Sequence, residues 1–194
     1  MIRNLLCVTL FICSSSKASV LEWGGMCLPE SHLSPGTVMN LNTSDKNFDS
    51  SDGYGPSLYF DGHEIAKHVP KFQHQVIRPN GSTVFENLMI NLTQRSLEVP
   101  NLGNKALTES EEIKSLYFYE GTSPYDWLAF KKKGGHYEFW GTCDSDAGND
   151  YTCLRSLKIN DIYANYYVSN YNIRQYEQIE VFLKDWLESN ECSK

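Results

Sequence analysis

Between residues 115 and 169 the chain alternates aromatic-rich runs with very short turn-forming segments, and this alternation constrains the fold more than any other feature. The runs are Ser115–Glu120, Asp126–Lys131, His136–Thr142, Cys153–Ile159 and Ile162–Ser169, all rich in Tyr, Phe, Trp, Leu and Val. Such side chains suit a pleated, half-buried surface. The runs are separated by Gly121-Thr122-Ser123-Pro124, Lys133-Gly134-Gly135, a cysteine-bounded loop and Asn160-Asp161. Gaps of this length cannot hold the crossover that parallel neighbours need, so the expectation is an antiparallel meander. A helix follows it. Asn172 is a favoured N-cap and Gln175 a reciprocal capping partner, with Tyr171 and Tyr176 at the staple positions. Tyr176, Ile179, Phe182, Leu183 and Trp186 form one apolar stripe at helical spacing, and Arg174, Glu177, Lys184 and Glu188 lie off it. The expected class is therefore α+β: an antiparallel meander with a C-terminal amphipathic helix, Asn172–Ser189, packed on it.

The first half is less regular. Thr37–Leu41 and Ser57–Phe60 have strand composition, and the polar, acidic stretch 44–55 between them reads as a mobile loop. Phe72–Ile77 and Thr83–Leu92 flank Arg78-Pro79-Asn80-Gly81-Ser82, a hairpin signal lengthened by the proline. Thr108-Glu109-Ser110-Glu111 resembles a capping box and predicts a short helix to about Lys114.

The start of the chain sets the compartment. Arg3 precedes an apolar run from Leu5 to Cys13, and Ser14 to Ser19 are small or polar apart from Lys17. Basic start, short apolar centre and small-residue cut site are the layout of a secretory leader, with cleavage after Ala18. The run is far short of the roughly 20 residues that span a bilayer. Residues 19–194 then form one domain of about 175 residues, enough for a sizeable core. The full chain carries a formal charge of -7, and loss of Arg3 and Lys17 with an acid-free leader takes the remainder to -9. Such a surface disfavours nucleic acid and anionic lipid and suits cationic partners. Cys27, Cys143, Cys153 and Cys192 remain after the leader. Export favours disulfides over zinc, and no C-x-x-C pair is present. Cys143 with Cys153, at facing strand ends, and Cys27 with Cys192, near the two termini, are the expected bridges. The sequons at Asn42, Asn80 and Asn91 carry little weight in a chain this rich in Asn and Ser.

No catalytic signature survives inspection. His63 and His68 are five apart, about 500° around a helix, whereas the zinc-protease pattern needs four. There is no G-x-S-x-G elbow and no glycine-rich phosphate loop. No cofactor is expected. The suggestive cluster is Asp144-Ser145-Asp146-Ala147-Gly148-Asn149-Asp150. Its carboxylates could wrap calcium, but the glycine falls one place early for an EF-hand and no closing glutamate follows. The favoured reading is an acidic loop stiffened by Cys143–Cys153. Asp144, Asp146 and Asp150, with Trp140 and Tyr151 as aromatic anchors, are then the candidate partner-binding residues. Lys131, Lys132 and Lys133 read as a solvated hairpin tip.

The aromatic strand Ile162-Tyr163-Ala164-Asn165-Tyr166-Tyr167-Val168 runs straight into the polar-capped helix that ends the domain. With the leader, the meander and the acidic body, this architecture resembles the periplasmic immunity proteins, which protect Gram-negative bacteria from antibacterial toxins delivered by contact-dependent systems such as type VI secretion. The resemblance covers about the last 80 residues and rests on architecture without a diagnostic motif. It implies a non-catalytic periplasmic protein that binds and inhibits one cognate toxin, here one with a basic cleft. It carries over no binding residues. Ile12 stands before Cys13 where lipid-anchored members have a small residue. Two other classes fit the same residues: an extracellular ligand-binding or host-interaction protein, and a secreted hydrolase with an unrecognised carboxylate pair.

Overall fold

The computed structural model describes residues 20–40, 53–78, 80–99, 106–111, 113–120, 125–145 and 150–192. The expected leader, residues 41–52 and Asp146 lie outside them. In chain order the elements are β1 (Val20–Trp23), β2 (Met26–Pro29), α1 (Pro35–Asn40), β3 (Tyr54–Phe60), α2 (Gly62–His68), β4 (Gln75–Ile77), β5 (Thr83–Phe85), β6 (Leu88–Thr93), β7 (Thr108–Glu109), β8 (Leu116–Glu120), β9 (Asp126–Lys133), β10 (His136–Ser145), β11 (Tyr151–Ile159), β12 (Ile162–Ser169) and α3 (Tyr176–Ser189).

The meander forms as expected and is the centre of the molecule. An eight-stranded antiparallel sheet runs β3-β6-β12-β11-β10-β9-β8-β7. Its turns follow local chemistry. Gly134 and Gly135 both take positive φ (55° and 90°) in the β9–β10 turn, which suits the twist of a two-residue hairpin. Asn160 takes φ 52° in the β11–β12 turn, a left-handed value that asparagine tolerates. A bulge between Phe139 and Gly141 breaks the β9–β10 register. At Gly141 a Cβ would lie 2.4 Å from the Leu154 carbonyl oxygen, so only glycine fits that close approach.

Period-two alternation sorts the sheet into two faces. Ile162, Ala164, Tyr166 and Val168 of β12 are buried with Leu88, Ile90 and Leu92 of β6, while Tyr167 on the opposite face is 48% exposed. On the buried side α3 contributes Tyr176, Ile179, Phe182, Leu183 and Leu187, with Trp186 half-buried. Apolar burial here is the main term holding helix to sheet. Polar groups fix its orientation. Arg155 of β11 ion-pairs with Glu180 of α3, and the Tyr166 hydroxyl donates to the same carboxylate at 3.1 Å. Burial, reinforced by the Glu180 charge, pushes the Tyr166 phenol far above its ordinary pKa, so it remains a donor.

Both expected disulfides are present, Cys143–Cys153 across paired strands and Cys27–Cys192 spanning 165 residues. The second is flanked by backbone bonds. Cys27 N–H donates to the Asn190 carbonyl at 2.7 Å and Cys192 N–H to the Gly25 carbonyl at 3.0 Å, so the β1–β2 hairpin is zipped to the end of α3.

Four local expectations are corrected. Pro35–Asn40 is helical where Thr37–Leu41 suggested a strand. Ser34 Oγ accepts the Thr37 N–H at 3.2 Å, and Pro35 occupies the first turn, so a Ser-Pro start outweighs the β-branched pair Thr37-Val38. Thr108 and Glu109 form a short edge strand instead of opening a helix. The capping-type bond comes from Ser110, whose Oγ accepts Ile113 N–H at 3.2 Å, and the chain then turns through Ser115 at φ 70° into β8. Thr83–Leu92 divides into β5, paired only with β4, and β6 in the main sheet. Asn172 does not cap the last helix. A 3-10 turn over Ile173–Gln175 leads into α3, and the Asn172 side chain is used elsewhere.

Candidate functional site

The end of β10, the start of β11 and the end of β12 meet the β4–β5 hairpin around a cleft of about 420 Å³. Asp144, Asp150 and Tyr151, three of the five residues expected to bind a partner, line it, together with Arg78, Glu86, Thr152, Ser169 and Tyr171. The Cys143–Cys153 bridge lies in the adjoining register position to Asp144 and Thr152, so it clamps the two strand ends that present the acids.

Each of the three carboxylates receives a hydroxyl. Thr152 Oγ1 donates to Asp144 Oδ1 at 2.7 Å, and Ser169 Oγ donates to Glu86 Oε2 at 2.5 Å. The Tyr171 hydroxyl donates to Asp150 Oδ1. That bond holds the Tyr171 phenol above its ordinary pKa, because losing its proton would place two anions in contact. Asp150 Oδ2 also lies 2.6 Å from Arg78 Nε, so among the described lining residues one guanidinium faces three carboxylates, a net negative balance. Asp144 is the exposed member, and Asp150 is partly neutralised by Arg78. Tyr151 is half-buried with its ring 5.4 Å from Trp127 in an edge contact, which fixes it against the sheet.

Trp140 does not belong to this site. It is 4% exposed on the helix side of the sheet, with the Arg155 guanidinium 4.2 Å from its ring and Tyr176 edge-on at 5.2 Å. Its sequence position near the acidic loop suggested an anchor. The bulge between Phe139 and Gly141 changes which face the strand presents, and Trp140 is core. Among the described residues no group of three His, Cys, Asp or Glu side chains is placed to hold a metal ion; of the calcium trio, Asp144 and Asp150 are described and Asp146 is not. His63 and His68 sit on α2 with different neighbours. His63 Nδ1 lies 3.2 Å from Asp61 and its ring 4.1 Å from His74, while His68 stacks on Phe182 at 5.3 Å. Lys131, expected at a solvated tip, instead reaches α3, with Nζ 2.8 Å from Glu177 and a bond to the Tyr176 hydroxyl.

Arg78, Glu86, Ser169 and Tyr171 were not legible as site residues. Arg78 sits before Pro79 in what reads as a turn, and nothing near it in sequence points to Asp150. The chemistry on offer is a preorganised acidic cleft that can hold a cationic group without first ordering its own side chains. A scan against protein-family models, a search of curated proteins and a search of solved structures each return no match to this chain.

Proposed function

We propose that this is an exported, non-catalytic binding protein of the immunity type, which occupies the periplasm and neutralises a cognate antibacterial toxin by docking on it stoichiometrically. The observation that carries the reading is the cleft in which Glu86, Asp144 and Asp150 are each oriented by a donated hydroxyl bond. Side chains already held in place lose little entropy on docking. The net charge of the chain adds long-range attraction for a basic cleft. Export is supported by the leader-like first 18 residues and by two disulfides, with no helix among the described residues long and apolar enough to cross a membrane.

The test is capture of the partner from the native source by the mature, disulfide-bonded protein, followed by expression of that partner in the periplasm of a test bacterium. The partner alone should stop growth, and co-expression of this protein should restore it through a one-to-one complex. Asp144→Lys should slow association by about tenfold at low salt. A partner whose toxicity is untouched by co-expression, or catalytic turnover by the isolated protein, overturns the proposal.

A further inference from the structure

α2 and α3 touch through the His68–Phe182 stack, and between them lies a second recess of about 640 Å³. It shares no lining residue with the cleft at Asp144 and Asp150. Along α3 its wall is set by Glu177, Val181 and Asp185, one turn apart, beside Phe182 and Trp186, with Glu64 of α2 facing them. This stretch of helix is about 13 Å long. Its floor is apolar. Val181 is 60% exposed, although the other large apolar residues of α3 are buried or half-buried. Trp186 is held edge-on to Phe60 at 5.0 Å, which leaves its position fixed.

The rim is acidic. Glu64 is bonded to His32 at 3.0 Å and Glu177 to Lys131 at 2.8 Å. Asp185 has no hydrogen bond or ion pair among the described residues. Among the described residues no lysine or arginine lines the groove. An apolar floor containing a tryptophan, beside the unpaired carboxylate of Asp185, disfavours fatty acids, nucleic acid and a second copy of this acidic chain. It matches a cation on an aliphatic stem, which gains from both the ring and the acid.

We propose that the α2–α3 groove is a docking site for a short basic peptide segment of a partner protein, with an aliphatic side chain over Val181 and Phe182 and a lysine or arginine between Trp186 and Asp185. The groove length fits about four extended residues. This surface is additional to the acidic cleft and does not depend on the identity of a toxin.

The probe is a fluorescein-labelled peptide with the repeat Leu-Ser-Lys-Ser, which puts leucine and lysine on one face of an extended chain, with a Leu-Ser-Glu-Ser peptide of equal length as control, read by anisotropy on the mature full chain. The lysine peptide should bind saturably and more weakly as salt rises, and the glutamate peptide should not bind. Asp185→Lys should weaken binding by about tenfold, which is about 1.4 kcal/mol. Val181→Ser should also weaken it, and both positions are exposed, so folding is spared. Asp161→Asn, at an exposed acid that lines neither recess, should leave it unchanged. Absence of saturable binding, equal binding of the two peptides, or an affinity indifferent to Asp185→Lys and Val181→Ser overturns the proposal.

Discussion

Asn172 and Gln73 form a two-bond clasp: Asn172 Oδ1 accepts the Gln73 N–H at 2.8 Å, and Asn172 Nδ2 donates to the Gln73 carbonyl at 3.1 Å. The Asn172 side chain thus mimics a strand neighbour and ties the segment before β4 to the entry of α3. Asn172 is 2% exposed, so neither bond has water as a ready substitute. Replacing it by alanine should cost about 2 kcal/mol and speed hydrogen exchange at the Gln73 amide. An unaltered urea midpoint and unaltered exchange would show the clasp to be incidental.

The two disulfides should differ in worth. Chain-entropy arguments give about 3 kcal/mol for the short Cys143–Cys153 loop and about 5 kcal/mol for the loop closed by Cys27–Cys192. Paired Cys→Ser variants of each bridge, melted under identical conditions, measure the gap. Equal losses would mean that the benefit lies in the folded state and not in restriction of the unfolded chain.

The Lys131–Glu177 contact predicts a bounded pH window. Glu177 sits below the ordinary glutamate pKa because Lys131, and secondarily the Tyr176 hydroxyl, bond its anion. Its contribution is present above the unfolded value of about 4.3 and fades as pH falls through the lower folded value. Lys131 sits above its ordinary value through its bonds to Glu177 and Tyr176. Its contribution is full below about 10.4 and is lost as pH rises through the higher folded value. Both groups are solvent-facing, so the stabilisation is about 0.2–1 kcal/mol. The stability difference between wild type and Lys131→Met should be flat between those limits and shrink on either side; a difference that changes steadily across neutral pH contradicts the assignment.

Truncations along α3 should rank by burial. Leu183→Ala and Leu187→Ala, at fully buried positions, should cost about 2–5 kcal/mol, and Phe182→Ala about 3–5 kcal/mol. Trp186→Ala should fall below Phe182→Ala because part of its surface already meets solvent in the groove. A larger loss at Trp186 than at Phe182 reverses the order and would place the groove wall inside the core.

Gly141→Ala tests the bulge. The added methyl would sit 2.4 Å from the Leu154 carbonyl oxygen and force the β10 backbone outward, at a cost of about 1–3 kcal/mol. A neutral melting temperature would mean that the bulge relaxes freely.

What could be read in advance divides along sequence distance. β8 to β12 were legible because each turn is encoded where it occurs, by Gly134-Gly135 and Asn160-Asp161, and because consecutive antiparallel strands pair with their neighbours. The placement of β6 and β3 beyond β12 was not, since no local residue specifies which distant strand an edge accepts. At α1 two local signals conflicted, and the Ser34-Pro35 start prevailed over the strand preference of Thr37 and Val38. At the site, the acidic run from Asp144 to Asp150 pointed to Asp144, Asp150 and Tyr151, which line the cleft. Arg78 and Glu86 arrive from a separate hairpin and leave no trace in the sequence around Asp150. Trp140 shows the reverse error: its place in sequence just before the acidic loop suggested an exposed anchor, and the strand turns it into the core.

The Cys27–Cys192 bridge gives the molecule a mechanical character. Tension applied from outside Cys27 and Cys192 runs through one covalent link, and the 165-residue separation between them, sheet included, bears none of it. Reduction of that bond reroutes the load, first onto the few hydrogen bonds joining Gly25 and Cys27 to Asn190 and Cys192, and then onto the sheet. Resistance to pulling is therefore set by the redox state of the surroundings, and the same fold is stiff in an oxidising space and yielding in a reducing one.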